Sequence, residues 1–145
     1  PEGWEPGAKN WSIDTTNVPP GCAAAYSVKV EEMAENYGYV LQESVQGLKP
    51  NTTYKLEAKV KASIAKMGFL EIKLGNDGKE QRLDSSENTG TDWETVSIEF
   101  KTGAASTVHV LCRYFQTKQF VGETVLFSDV KLTEKLASAS VRMFN

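Results

Sequence analysis

A chain of 145 residues, 40% hydrophobic and 24% charged, is long enough to close one core and too short for two ordinary ones. Nineteen acidic residues against 16 basic ones leave a formal charge of −3, so the sum carries no footprint for nucleic acid. Apolar runs of only a few residues exclude a membrane-spanning helix, and aromatic and β-branched residues throughout argue against disorder.

Along the chain, most segments alternate apolar and polar residues with period two, the pattern of half-buried strands. The chain opens at Pro1 without a methionine, as a module cut from a longer polypeptide would. Strands are predicted over residues 25–30 and 38–45. Between them, residues 29–37 contain good helix formers but no apolar face of useful width, and read as a loop with at most one helical turn. Residues 55–61 form the clearest strand, with Leu56, Ala58 and Val60 on one face and charges on the other. Its lysines read as those of an edge strand protected against edge-to-edge pairing. Further strands are predicted at 70–74, 96–100, 108–112 and 125–132. Lys49-Pro50-Asn51, Asn76-Asp77-Gly78 and Thr89-Gly90-Thr91 supply turns. Residues 135–145 differ in texture and read as a tail or linker. Eight or nine short strands with almost no helix, over residues 1–134, predict an all-β fold: a β-sandwich or jelly roll.

Two cysteines and one histidine are too few for a zinc site at the usual spacings. Cys112 alternates with Val108 and Val110 and is expected in the core. A bond between Cys22 and Cys112 is left open.

Five phrases resemble one family in order. Pro1-Glu2-Gly3-Trp4-Glu5-Pro6-Gly7 with Trp11 is similar to its opening motif. Tyr39-Val40-Leu41-Gln42 resembles a strand with a sugar-facing glutamine. Leu48-Lys49-Pro50-Asn51-Thr52-Thr53-Tyr54 resembles the turn leading into a core strand. The segments running Asp92 to Phe100 and Val125 to Leu132 resemble two later strands. Together they resemble jelly-roll carbohydrate-binding modules of families four, nine, sixteen and twenty-two, whose two antiparallel sheets form a galactose-binding-domain-like sandwich. Ser128 departs from the aspartate common at its position, and Lys59 stands where a bulky residue is frequent.

The resemblance implies a structural calcium tying the first strand to the last, through Glu5 and Asp129, with Gly3 and Lys29 as carbonyl donors. Carboxylate and carbonyl oxygens suit that ion. It also implies a sugar-binding sheet face. Rings cover the apolar side of a pyranose, and planar polar groups engage its hydroxyl pairs. Alternation places Phe69, Glu71 and Lys73 opposite the core, with His109, Arg113 and Phe115 likewise; a surface cross-strand contact between Arg113 and Glu71 is the alternative for that arginine. Gln42, Gln81 and Arg82 complete the expected concave face. Lys73, Arg82 and Arg113 would suit a uronic or sulfated chain, whereas Gln42 with the aromatics suits a neutral one. The loop aromatics Trp11, Tyr37, Tyr114 and Phe120, near predicted strand ends, are further candidates.

No nucleophile motif surrounds His109, no phosphate-cradling glycine loop appears, and exposed carboxylates on strands are ordinary. The expectation is therefore a non-catalytic, monomeric, secreted module. It would bind a polysaccharide or oligosaccharide and target a tethered catalytic domain, with neither nucleic acid nor membrane as partner. A structural or protein-interaction sandwich, and a small polysaccharide lyase or hydrolase, are the alternatives.

Overall fold

The computed structural model describes residues 5–6, 10–35, 37–75 and 81–135. Ten strands follow in order: β1 (Glu5–Pro6), β2 (Trp11–Asp14), β3 (Ala25–Lys29), β4 (Gly38–Gln46), β5 (Thr53–Ala62), β6 (Gly68–Leu74), β7 (Gln81–Asp84), β8 (Glu94–Lys101), β9 (Thr107–Tyr114) and β10 (Thr124–Glu134). A single 3-10 turn, Lys118–Phe120, is the one helical element among the described residues.

The strands form two antiparallel five-stranded sheets. Sheet one has the order β1-β4-β9-β6-β7, and sheet two the order β2-β3-β10-β5-β8. This is the β-sandwich jelly roll expected from the alternation. The inward rows come from the pleat, in which successive side chains point to opposite faces. Leu56, Ala58 and Val60 of β5 meet Leu70 and Ile72 of β6, and Val108, Val110 and Cys112 of β9, in one buried cluster. Cys112 is fully buried, and that burial pushes its thiol pKa well up. Both cysteines are free, so no bond joins Cys22 to Cys112.

Three differences from the sequence reading matter. The strand rich in lysine is not at an edge: β5 is paired with β10 on one side and β8 on the other. Residues 31–35 form no helical turn, because the segment is held instead by long-range backbone bonds, including Ala34 N–H to the Gln116 carbonyl at 2.9 Å. The short strands β1, β2 and β7 carry too little alternation to read from sequence. The expected Asn76–Gly78 turn and most of the 135–145 tail lie outside the described residues.

Where the two sheets press closest, glycine is required. A Cβ on Gly68 would lie 2.9 Å from methyl groups of both Val60 and Val125, which belong to the facing sheet. At Gly38, the first residue of β4, a Cβ would fall 2.3 Å from the Tyr114 ring. Tyr114 thus fills the space that a side chain at position 38 would take, and its burial raises the phenol pKa.

Candidate functional site

The outer face of sheet one carries three rows of side chains, fixed by strand register. Tyr39, Arg113 and Phe69 form one row across β4, β9 and β6. Gln42, Leu111, Glu71 and Asp84 form the next, and Ser44, His109, Lys73 and Arg82 the third. The face holds two distinct polar centres.

The first is a hydrogen-bonded line along β4. Gln42 Nε2 donates to the Tyr39 hydroxyl at 3.0 Å, and Gln42 Oε1 faces His109 Nε2 at 2.9 Å. His109 Nδ1 in turn lies 3.0 Å from Ser44 Oγ. With the Gln42 oxygen turned to the ring, Nε2 carries the proton, and a neutral His109 accepts from Ser44 through Nδ1. The line fixes the Gln42 amide in one orientation, which is how a side chain is prepared to read a pair of hydroxyls.

The second centre is built on Glu71, whose side chain is wholly buried. Arg113 Nη1 meets Glu71 Oε1 at 2.7 Å, and Arg82 Nε lies against Oε2. The rest of Arg113 is occupied too, since Nη2 donates to the Tyr37 carbonyl at 2.8 Å. Arg82 also reaches Asp84 at 3.4 Å. Both guanidiniums sit near the Tyr37 ring, at 5.3 Å for Arg82 and 5.7 Å for Arg113, within cation–π range.

Tyr37 caps a small aromatic cluster. It meets Phe69 and Phe115 edge-on, at 5.6 and 4.9 Å, and Phe115 stacks on Phe120 at 5.7 Å. Only Tyr37 among these reaches solvent substantially, at 37%. Two cavities open on either side of it. One of about 520 Å³ is lined by Glu35, Tyr37, Arg82 and Arg113. The other, of about 650 Å³, lies under the β3–β4 loop and is walled by Tyr37, Tyr39, Arg113 and Gln116 together with the loop itself.

The structure therefore brings Gln42, Lys73, Arg82, His109 and Arg113 to one face as expected, and redistributes the others. Phe69 and Glu71 share that face but are buried, Phe69 beneath Tyr37 and Phe115, and Glu71 between the arginines. Phe115 is half-buried and Phe120 buried, so both support Tyr37 rather than present a ring. Gln81 lies opposite Leu74, an inward position, and so falls on the other side of the edge strand. Trp11 stands on β2 in sheet two, 39% exposed and stacked on Tyr26 at 6.2 Å, away from this face. Tyr37, named by sequence only as a loop aromatic, and Tyr39 are the additions. The signal for both was the Tyr-Gly-Tyr phrase at the start of β4.

Of the proposed metal donors, Lys29 and Asp129 lie apart. Lys29 lies opposite Thr124 at one end of the β3–β10 ladder, whereas Asp129 follows that ladder's other end. Asp129 lies five residue steps along β10 from Thr124, about 17 Å at 3.3–3.4 Å per residue, so the Lys29 carbonyl and Asp129 cannot share an ion with bonds of about 2.3–2.6 Å. The Lys29 carbonyl already accepts from the Asn10 amide. Asp129 is exposed, in the left-handed conformation (φ 51°) within the β10 irregularity, and the neighbouring Ser128 hydroxyl donates to the Ala24 carbonyl at 2.6 Å. Glu5 pairs with Gln42 in the other sheet, and Gly3 lies outside the described residues. No cluster of three or more His, Cys, Asp or Glu suited to a metal occurs among the described residues.

Comparison with solved structures gives the fold. The chain is similar to a family 16 carbohydrate binding module, at 19% identity and a TM-score of 0.60, with 92% of each chain covered. It is similar to the CBM22-1 xylan-binding domain of Paenibacillus barcinonensis Xyn10C, at 12% identity and a TM-score of 0.66, covering 93% of this chain and 88% of that one. The enzymatically active domain of bacteriophage CBA120 tailspike protein 4 also matches, at 12% identity and a TM-score of 0.68. There 92% of this chain corresponds to 20% of that longer one. No curated protein sequence matches. The family model described as "Carbohydrate binding domain", CBM_4_9, matches residues 1–119. By that match over most of its length, on the sandwich that such modules share, the chain belongs to the carbohydrate binding domain family.

Proposed function

We propose that the protein is a non-catalytic module that holds a neutral polysaccharide chain on the outer face of sheet one and keeps an appended polysaccharide-degrading enzyme at its polymer. The observation that carries this is the solvent-open Tyr37 ring beside the fixed Tyr39–Gln42–His109–Ser44 line. A ring supplies the apolar platform, and oriented amide, imidazole and hydroxyl groups supply hydroxyl recognition. Neutral chains are favoured because Arg82 and Arg113, which would attract a uronic or sulfated sugar, are already balanced by Glu71 and Asp84. Two neighbours of the same fold were solved with neutral oligosaccharides, one with beta-1,4-galactotriose and one with xylohexaose.

Catalysis fits the geometry poorly. Hydrolysis of a glycoside needs two carboxylates flanking the scissile bond, and the buried carboxylate of this face is clamped by two guanidiniums. Binding alone is enough for the proposed role, since a tether converts weak polymer binding into a high local enzyme concentration. Secretion and a tethered enzyme belong to the same proposal. The calcium expectation is reduced to Glu5 and Asp129, without Lys29.

Affinity gels with β-glucan, mannan, xylan and galactan test the reading. The protein is expected to be retarded by at least one of them. Tyr37→Ala should weaken that retardation about tenfold, a loss of about 1.4 kcal/mol, while the variant stays folded. No retardation by any neutral glycan, or an unaffected Tyr37→Ala variant, would overturn it.

A further inference from the structure

Lys55, Lys59 and Lys61 suggested an edge strand, yet β5 lies inside sheet two. Edge protection therefore does not account for them. Tyr54, Leu56, Ala58, Val60 and Ala62 face the core, so the three lysines and Glu57 stand on the outer face. Register widens the row on both sides. Lys101 of β8 lies opposite Thr53, Lys131 of β10 opposite Glu57, and Lys29 of β3 opposite Thr124.

Ion pairing does not absorb this charge. The face sets Glu57, Glu99 and Asp14 against the lysines, Asp14 acting on Lys61, with Asp129 at the β10 irregularity. Lys131 approaches Glu57 at 4.0 Å, and Lys135 takes Glu99 at 3.1 Å. Lys59 donates to Thr95 Oγ1 at 2.6 Å and Lys61 to Asn17 Oδ1 at 3.1 Å, both neutral acceptors. Among the described residues, Lys29, Lys55 and Lys101 have no ion-pair partner. A positive face thus stands on a chain whose total charge is −3. The other outward positions on these strands carry no aromatic ring to stack a base or anchor in a lipid interface, and Leu126 and Ser128 among them are buried beside the β2–β3 connection, whose Ala24 carbonyl accepts from Ser128.

We propose that the outer face of sheet two is a second binding surface, for a linear polysaccharide bearing carboxylate or sulfate groups. Charge complementarity argues for the occupant. Alternate lysines on one strand stand about 6.7 Å apart, in a row that a repeating anionic chain can follow. Ammonium groups on flexible stems act as point charges, so the contact tolerates imperfect register and fades with salt. The surface is independent of Tyr37, which lies on the opposite sheet. One module would then join a neutral chain to an acidic one.

Native gels containing polygalacturonate test this. At about 0.01 M ionic strength, where the Debye length is about 30 Å, the protein should be retarded, and at about 1 M, where it is about 3 Å, it should not. The triple variant Lys55→Glu/Lys59→Glu/Lys101→Glu should lose at least about tenfold in apparent affinity, about 1.4 kcal/mol. Lys101→Glu alone, an exposed change, should lose part of it and keeps the test valid should the triple variant misfold. Tyr37→Ala should bind polygalacturonate as the parent does, which separates this surface from the neutral-sugar site. An unretarded parent protein, a charge-reversed variant that folds and binds normally, or loss of binding in Tyr37→Ala would each overturn the proposal. Equal retention by duplex DNA would overturn the assignment to polysaccharide.

Discussion

Asn88→Ala is expected to cost about 3 kcal/mol or more. Asn88 is fully buried in the connection between β7 and β8, and every hydrogen-bonding direction of its amide is used. Oδ1 accepts from the backbone N–H groups of Met67 and Gly68, both at 2.8 Å. Nδ2 donates to the carbonyls of Ile64 at 3.0 Å and Gly90 at 2.8 Å. The side chain does the work of a missing strand segment: it ends the β5–β6 connection and starts β6, the strand that carries Phe69, Glu71 and Lys73. Truncation strands two buried N–H groups, each costing about 1–3 kcal/mol when unpaired. At about 2–4 °C per kcal/mol for a domain of this size, the melting temperature should fall by roughly 10 °C. Asn88→Asp keeps both acceptors but loses the donors and buries a charge, so it should also fall well below the parent. Urea titration of both variants checks this. A loss under about 1 kcal/mol for the alanine variant would show that the backbone finds other partners.

Glu71→Leu is expected to be nearly as damaging, and to damage binding as well. Removing one member of a buried ion pair leaves the other charge unpaid by any partner, at about 3–5 kcal/mol. The burden falls on Arg113, whose side chain is only 14% exposed, because Arg82 at 46% can turn into water. Arg113 also holds the Tyr37 carbonyl, so the aromatic platform should loosen with it. The double variant Glu71→Leu/Arg113→Met removes both charges and should be more stable than Glu71→Leu alone, since a buried pair replaced by apolar groups is often neutral. Neutral-glycan retardation should stay weak in both. Recovery of stability without recovery of binding is the outcome that assigns the arginine a positioning role. A double variant no more stable than the single one counts against the buried-charge account.

The strand framework was legible because the core rows are long: β5 alternates over ten residues and β8 over eight without a break. The same period placed Glu71 and Arg113 on one face correctly. A cross-strand pair of the two was the alternative to sugar contact, but alternation gives neither its diagonal geometry, with Arg113 opposite Phe69, nor its burial. That contact turned two expected sugar ligands into a buried pair. Exposure was the second thing alternation could not give. Phe69 and Leu111 point away from the core and are still covered, because loop side chains such as Tyr37 fold over the sheet. Strand order was the third. Nothing local to the residues 55–61 strand says whether it is flanked on one side or two, and so its lysines were given the wrong reason. Lys29 drops out of the metal set for a related cause: Lys29 and Asp129 lie at opposite ends of a pairing that only the three-dimensional register reveals.

The position of β10 has a mechanical consequence. Residues 124–127 of β10 pair with β3 on one side, and residues 125–128 and 131–134 with β5 on the other, with the Lys135 N–H still bonded to the Thr53 carbonyl just beyond. A pull applied along this strand from its far end loads both ladders in shear, so many bonds must fail together. The same force on β2, an edge strand paired only with β3 over four residues, would load a single short ladder. A module dragged against an immobile polymer is strongest when the load enters through β10.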